Sequence, residues 1–71
     1  MKLSHREHAV LTLIARGFTD RETAQRLKIS PRTVEKHVAS IILKLNAKNR
    51  VNAAVLYMHL NPNWKIINRY V

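Results

Sequence analysis

Arg32, Lys36 and Ser40 stand four residues apart, with no acid among them. Val34, Val38, Ile41 and Leu45 recur at steps of four, three and four. On a helix over residues 31–45 these two sets occupy opposite faces. One face is buried, and the other offers two cations and a hydroxyl. Such a face suits a negatively charged surface, and its dimensions match the DNA major groove. The groove carries acceptors, donors and methyl groups, and this segment has a side chain for each. Lys36 can donate to guanine O6 and N7, Glu35 can accept from cytosine N4, and Ala39 can touch a thymine methyl. Arg32 and Ser40 complete the candidate base-contacting set. Glu35 also fits a flank residue that makes a contact one turn away or none.

Phosphate contacts are expected from helix starts, where N–H groups and the helix dipole favour anions. Thr19 and Arg21 begin a second helix, Thr33 the third, and Asn49 and Arg50 a fourth. Lys44 and Lys48 add charge. His37 flanks the buried stripe, where it packs or donates to a phosphate. Each of these residues also has an ordinary reading as a cap or a solvated cation. Leu43 projects opposite the stripe. It sits beyond the groove, against a partner, or as a tolerated surface leucine, the commonest case.

The elements that position these residues are marked by their caps. Ser4-His5-Arg6-Glu7 is a capping box that opens a first helix holding Val10, Leu13 and Ile14, with Ala9 and Leu11 at its flanks. Gly17, the only glycine, reads as its left-handed stop, and Phe18 folds back on the core. Thr19-Asp20-Arg21-Glu22 is a second capping box, for a helix to about Leu27 that turns Ala24 and Leu27 inward. Lys28-Ile29 makes a tight turn. Ser30 caps the third helix, and Pro31 fits its first position. Two short helices joined this closely form a helix-turn-helix. Asn46 to Asn49 break the third helix. Asn49 caps a fourth, from Arg50 to about Leu60, which Asn61-Pro62 ends. The expected architecture is all-α, a four-helix bundle containing a helix-turn-helix. Residues 1–60 form the domain and residues 61–71 a short C-terminal tail. The tail holds Trp64, Ile66, Ile67, Tyr70 and Val71, as a further helical turn or two or a loosely packed arm.

Composition narrows the function classes. The chain has 71 residues and a formal net charge of +9, from 13 Lys+Arg against 4 Asp+Glu. Between residues 26 and 50, Arg26, Lys28, Arg32, Lys36, Lys44, Lys48 and Arg50 stand against Glu35 alone. This clustering points to nucleic acid. A chain this short buries only about 60% of its unfolded surface. With no Cys there is no disulfide framework and no thiolate metal site. His5 and His8 do not form the zincin pattern and have no evident third ligand, so neither a metal nor a cofactor is expected. An enzyme is not expected either, because paired carboxylates and a nucleophile with a base are both missing. No apolar run approaches the ~20 residues of a membrane span. The N-terminus lacks a signal-peptide core, and a cytoplasmic location follows as the expectation.

Leu3-Ser4-x-Arg6-Glu7, Val10-Leu11, Gly17, Glu22-x-Ala24-x-x-Leu27, Ile29-Ser30-x-x-Thr33-Val34-x-x-His37-Val38 and Lys44-Leu45-x-x-Lys48-Asn49-Arg50 together resemble the LuxR-type (GerE/FixJ-type) helix-turn-helix domain. The resemblance spans about residues 3–58. It implies a bacterial transcription regulator that binds double-stranded DNA at inverted repeats, as a homodimer meeting along the fourth helix, with RNA polymerase as a further partner. The chain departs from the family pattern at Thr23, usually apolar, and at Lys28, usually glycine. It also departs at Glu35 and Ala39, where the family often carries a cation. The residues fit a whole small protein opening at Met1, and equally the output domain of a response regulator.

The fourth helix is apolar nearly all round. Val51, Ala54, Val55 and Met58 form one stripe, expected to be buried. Ala53, Leu56, Tyr57 and Leu60 form a second, expected to meet another subunit or to lie under the Trp64 tail. The competing function class is a protein-interaction module that uses this helix and the tail. Attachment to an anionic membrane is disfavoured, since no helix pairs a large apolar face with a cationic one.

Overall fold

The computed structural model describes residues 2–64. These residues form four helices, α1 (His5–Ala15), α2 (Asp20–Leu27), α3 (Pro31–Leu45) and α4 (Arg50–Leu60), with no strand among them. Met1 and the tail residues 65–71, with Ile66, Ile67, Tyr70 and Val71, lie outside the described residues.

Each helix starts where a side chain satisfies an orphan N–H. Ser4 Oγ accepts the Glu7 N–H at 3.2 Å, and Glu7 Oε1 accepts the Ser4 N–H at 2.8 Å. Thr19 and Glu22 repeat the box at 3.1 and 2.9 Å. Ser30 Oγ accepts the Thr33 N–H at 3.1 Å, with Pro31 in the first helical turn. Asn49 Oδ1 accepts the Asn52 N–H at 2.8 Å. Each cap stabilises its helix by about 1 kcal/mol.

Three helix ends share one device. Gly17, Lys28 and Asn46 are left-handed, with φ of 93°, 58° and 53°. The next N–H in each case reaches back five residues: Phe18 to Leu13 O, Ile29 to Ala24 O and Ala47 to Ile42 O, at 3.0, 3.0 and 2.9 Å. Glycine takes this conformation without strain and asparagine tolerates it. Lysine carries a Cβ there, at a cost of about 1 kcal/mol.

α1 and α3 each pack on every other helix. α1 is therefore buried nearly all round, with Ala9, Val10, Leu11, Thr12 and Leu13 all inside. The one-sided pattern expected for it gives way to a central position. Val34, Val38 and Ile41 bury the inner face of α3, and Ala24 lets α2 approach closely. Thr23 is fully buried, and its Oγ1 has no protein partner.

α4 is rotated from the expected phase. Ala53, Ala54 and Tyr57 are buried, whereas Val51 is 69% and Val55 42% exposed. A helix apolar nearly all round carries no phase in its own sequence. Here the phase is set by Tyr57, whose hydroxyl lies 2.9 Å from Thr12 Oγ1 on α1. Burying Tyr57 also buries the polar partner that its oxygen needs. Asn61 Nδ2 closes the helix on Tyr57 O at 3.0 Å, and a turn then carries Trp64 into the core. The first residues of the tail thus complete the bundle.

Candidate nucleic-acid interface

The outer surface of α3 presents Arg32, Glu35, Lys36 and Ala39, all exposed. Four of the five candidate base-contacting residues thus lie together. The fifth, Ser40, lies at the edge of that face. It is half-buried, and its hydroxyl donates to Glu7 Oε2 at 2.7 Å. Lys44, expected at phosphate, is held on the same flank, with Nζ 2.8 Å from Glu7 Oε1. One residue accounts for both positions. Ser40 and Lys44 turn toward α1 because a buried carboxylate there needs donors.

Glu7 is the residue that sequence reasoning read too narrowly. Its capping role was legible, but its second role as the anchor of α3 was not. The side chain is buried, yet it gathers the Lys44 ammonium, the Ser4 N–H and the Ser40 hydroxyl. Burial pushes its carboxyl up. The hydrogen bonds from Lys44, Ser4 and Ser40, with the Lys44 charge, outweigh burial and hold it at about 2. The only signal in the sequence was the spacing of Ser40 and Lys44, which share a flank of α3 one turn apart.

A second ion pair fixes the other edge of the site. Arg50 Nη2 donates to Asp20 Oδ1 at 2.7 Å, which brings the start of α4 beside the start of α2. Thr19 and Arg21 are exposed at the α2 start, and Lys48 and Asn49 at the α4 start. These expected phosphate contacts therefore come together around two adjacent helix N-termini, where anions are favoured. Thr33 and His37 lie half-buried on α3. The Thr33 hydroxyl sits 2.9 Å from Ser30 Oγ, within the α3 cap. Arg26 stacks over Phe18 at 5.4 Å from the ring centroid, which places it on α2 away from the Asp20 start.

Three of the four acids are held by ion pairs or a cap, and the fourth, Glu35, stays exposed on α3. Glu7 and Asp20 are paired with Lys44 and Arg50, and Glu22 closes a cap. His8 faces Tyr57, with Nδ1 3.4 Å from the phenol oxygen. Burial lowers its pKa, His5 and Lys2 lower it further, and Glu7 pulls the other way. Among the described residues, no three His, Asp or Glu side chains come together as a metal site. No helix among those residues is long and apolar enough to cross a membrane.

Two residues expected at a subunit interface, Ala53 and Tyr57, are inside the monomer at 0% and 2% exposure and are closed to a partner. Leu56 is half-buried and Leu60 exposed. Besides Leu60, the exposed apolar residues of α4 are Val51 and Val55, the latter beside a shallow depression of about 240 Å³ lined by Val55, Met58 and His59.

Residues 1–57 match the family described as bacterial regulatory proteins, luxR family. The chain is 40% identical over 65 residues to the uncharacterised transcriptional regulatory protein YhcZ of Bacillus subtilis, covering 92% of this chain and 30% of that protein. It is 42% identical over 59 residues to the transcriptional regulatory protein LiaR of the same organism, covering 83% and 28%. It is 43% identical over 54 residues to the nitrate/nitrite response regulator protein NarL of Escherichia coli K12, covering 76% and 25%. The chain thus spans less than a third of the length of these relatives. With the family match over most of its length and the two capped helices held at a tight turn, this chain belongs to the LuxR family of bacterial regulatory proteins and carries that family's helix-turn-helix DNA-binding domain.

Proposed function

We propose that the chain binds double-stranded DNA sequence-specifically and regulates transcription, with α3 seated in the major groove. The observation that carries this reading is the exposed, cation-bearing face of α3, held outward by the buried Val34, Val38 and Ile41 on the opposite face. Arg32, Glu35, Lys36 and Ala39 read base edges. Thr19, Arg21, Thr33, His37, Lys48, Asn49 and Arg50 take the flanking phosphates. Ser40 and Lys44 serve through Glu7, by fixing the angle of α3. Two copies bind an inverted repeat through the outward face of α4, with Val51 and Val55 at its centre. The cytoplasm is the compartment and RNA polymerase a further partner.

Selection of bound sites from random duplex DNA tests this reading. The expected product is a palindrome with half-sites about one helical turn apart or a multiple of it. Affinity should fall with salt, by a slope of about −0.9 in log affinity against log salt per phosphate neutralised. Recovery of no preferred sequence, or affinity insensitive to salt, would refute it.

A further inference from the structure

Leu43 is 80% exposed, more than Val51, Val55 or Leu60. The rest of α3 fixes its direction. Val34, Val38 and Ile41 seat the inner face, and Glu7 holds Ser40 and Lys44 on one flank. At about 100° per residue, Arg32, Lys36, Ala39 and Leu43 fall within about 60° of one another, opposite that core. All four are exposed. From Arg32 to Leu43 the stripe runs about 16 Å along the axis, about five base-pair steps at 3.4 Å. Its character changes over that length. The first half carries two cations, and the second half is aliphatic, with Ala39 and Leu43 one turn apart.

A cationic half suits the acceptors of guanine. An aliphatic half has one counterpart in the major groove, the C5-methyl of thymine. The geometry points to Leu43, paired with Ala39, as a thymine-reading element of the recognition helix. The DNA it takes carries thymine methyls to one side of the position read by Lys36. The inference rests on the proposal that α3 lies in the groove, and it adds which bases the far end of the helix demands. A protein seated on Leu43 would cover the face that holds Lys36 and exclude duplex DNA, so the two occupants give opposite results.

The test uses the duplex recovered by selection with this chain, resynthesised with each thymine in turn replaced by deoxyuridine. That change removes one methyl and nothing else. Leu43→Ala removes the side chain where it is open to solvent, and circular dichroism checks that the helices persist. At one thymine per half-site, uracil should weaken the wild-type chain about fourfold, the equivalent of one buried methyl-sized group. Leu43→Ala should weaken the thymine duplex by a similar factor and lose nothing further with uracil at that position. Thymines read by Ala39 should still respond in both proteins. If uracil has no effect on the wild type anywhere, or affects Leu43→Ala equally at every position, the thymine reading is overturned while DNA binding stands. Unchanged or tighter duplex binding by Leu43→Ala overturns it too. If selection recovers no duplex, the placement of α3 fails and this inference fails with it.

Discussion

Lys44 donates to Glu7 across the α1–α3 interface, Nζ to Oε1 at 2.8 Å, and the carboxylate that receives it is buried. The pair links the start of α1 to the last turns of α3. Lys44 thereby helps to hold α3 in its orientation against α1. The Ser40 hydroxyl, on the other carboxylate oxygen, completes the clamp.

Acid should loosen this clamp before it disturbs the apolar core. The Glu7 carboxyl is held at about 2, against 4.5 for an ordinary glutamate. In that interval the unfolded chain binds more protons than the folded one, so stability falls as pH falls. The contribution is fully present above pH 4.5 and is lost on the way to pH 2. It amounts to about 3 kcal/mol by linkage. Urea unfolding at stepped pH should show this loss in the wild type. Glu7→Gln should be less stable near neutrality by about 3 kcal/mol and flatter across the acid range. A wild type as steep as the variant would place the acid sensitivity elsewhere.

Thr23 is fully buried with a hydroxyl that no protein group satisfies. Valine has nearly the same shape and no polar atom to desolvate. Thr23→Val should stabilise the domain by about 1 kcal/mol, read as a higher urea midpoint with an unchanged slope. A lower midpoint would show that the Thr23 hydroxyl has a partner after all.

The local features of this fold were legible and the tertiary ones were not. Ser4, Thr19, Ser30 and Asn49 announce their helices because a cap is a contact three residues long. The α3 stripe was legible because one face is apolar and the other is not. The turn at Lys28 was visible; lysine itself gives no hint of its left-handed backbone, and the one signal is the glycine that the resembling family usually carries there. α1 misled because a central helix is buried nearly all round, and α4 because Val51 and Tyr57 are both apolar in the sequence. Their roles separate only when Thr12 supplies a partner for the phenol. The exposure of Arg32 and Lys36 follows from the face of α3 alone. Ser40 and Lys44 needed the knowledge that Glu7 lies against them, which is a relation across 33 and 37 residues.

Lys36 and Lys48 should separate base reading from backbone attraction. Lys36 lies on the outer face of α3, and Lys48 sits just before the α4 start. Lys36→Ala should cost about 1–3 kcal/mol on the selected site and change which sequences are preferred. Lys48→Ala should weaken selected and random duplexes alike and reduce the salt slope by about 1. Equal losses on both duplexes for both variants would show that Lys36 reaches phosphate rather than a base.

The proposed dimer places its contact on the outward face of α4. Val51 and Val55 lie one turn apart at 69% and 42% exposure, and Tyr57 on the inner side is 2% exposed. A twofold axis through Val51 and Val55 would let the same patch meet itself, as a palindromic site requires. An aspartate at position 55 would place two like charges against each other across that axis, while touching little in the monomer. Val55→Asp should therefore abolish two-subunit occupancy of a palindrome and keep single half-site binding, with stability changed by no more than about 0.5 kcal/mol. Tyr57→Ala should instead destabilise the monomer by about 3–5 kcal/mol, because it empties the core and strands Thr12. Sedimentation with palindromic and half-site duplexes distinguishes the two variants. Full two-subunit occupancy by Val55→Asp would move the dimer contact off this face of α4.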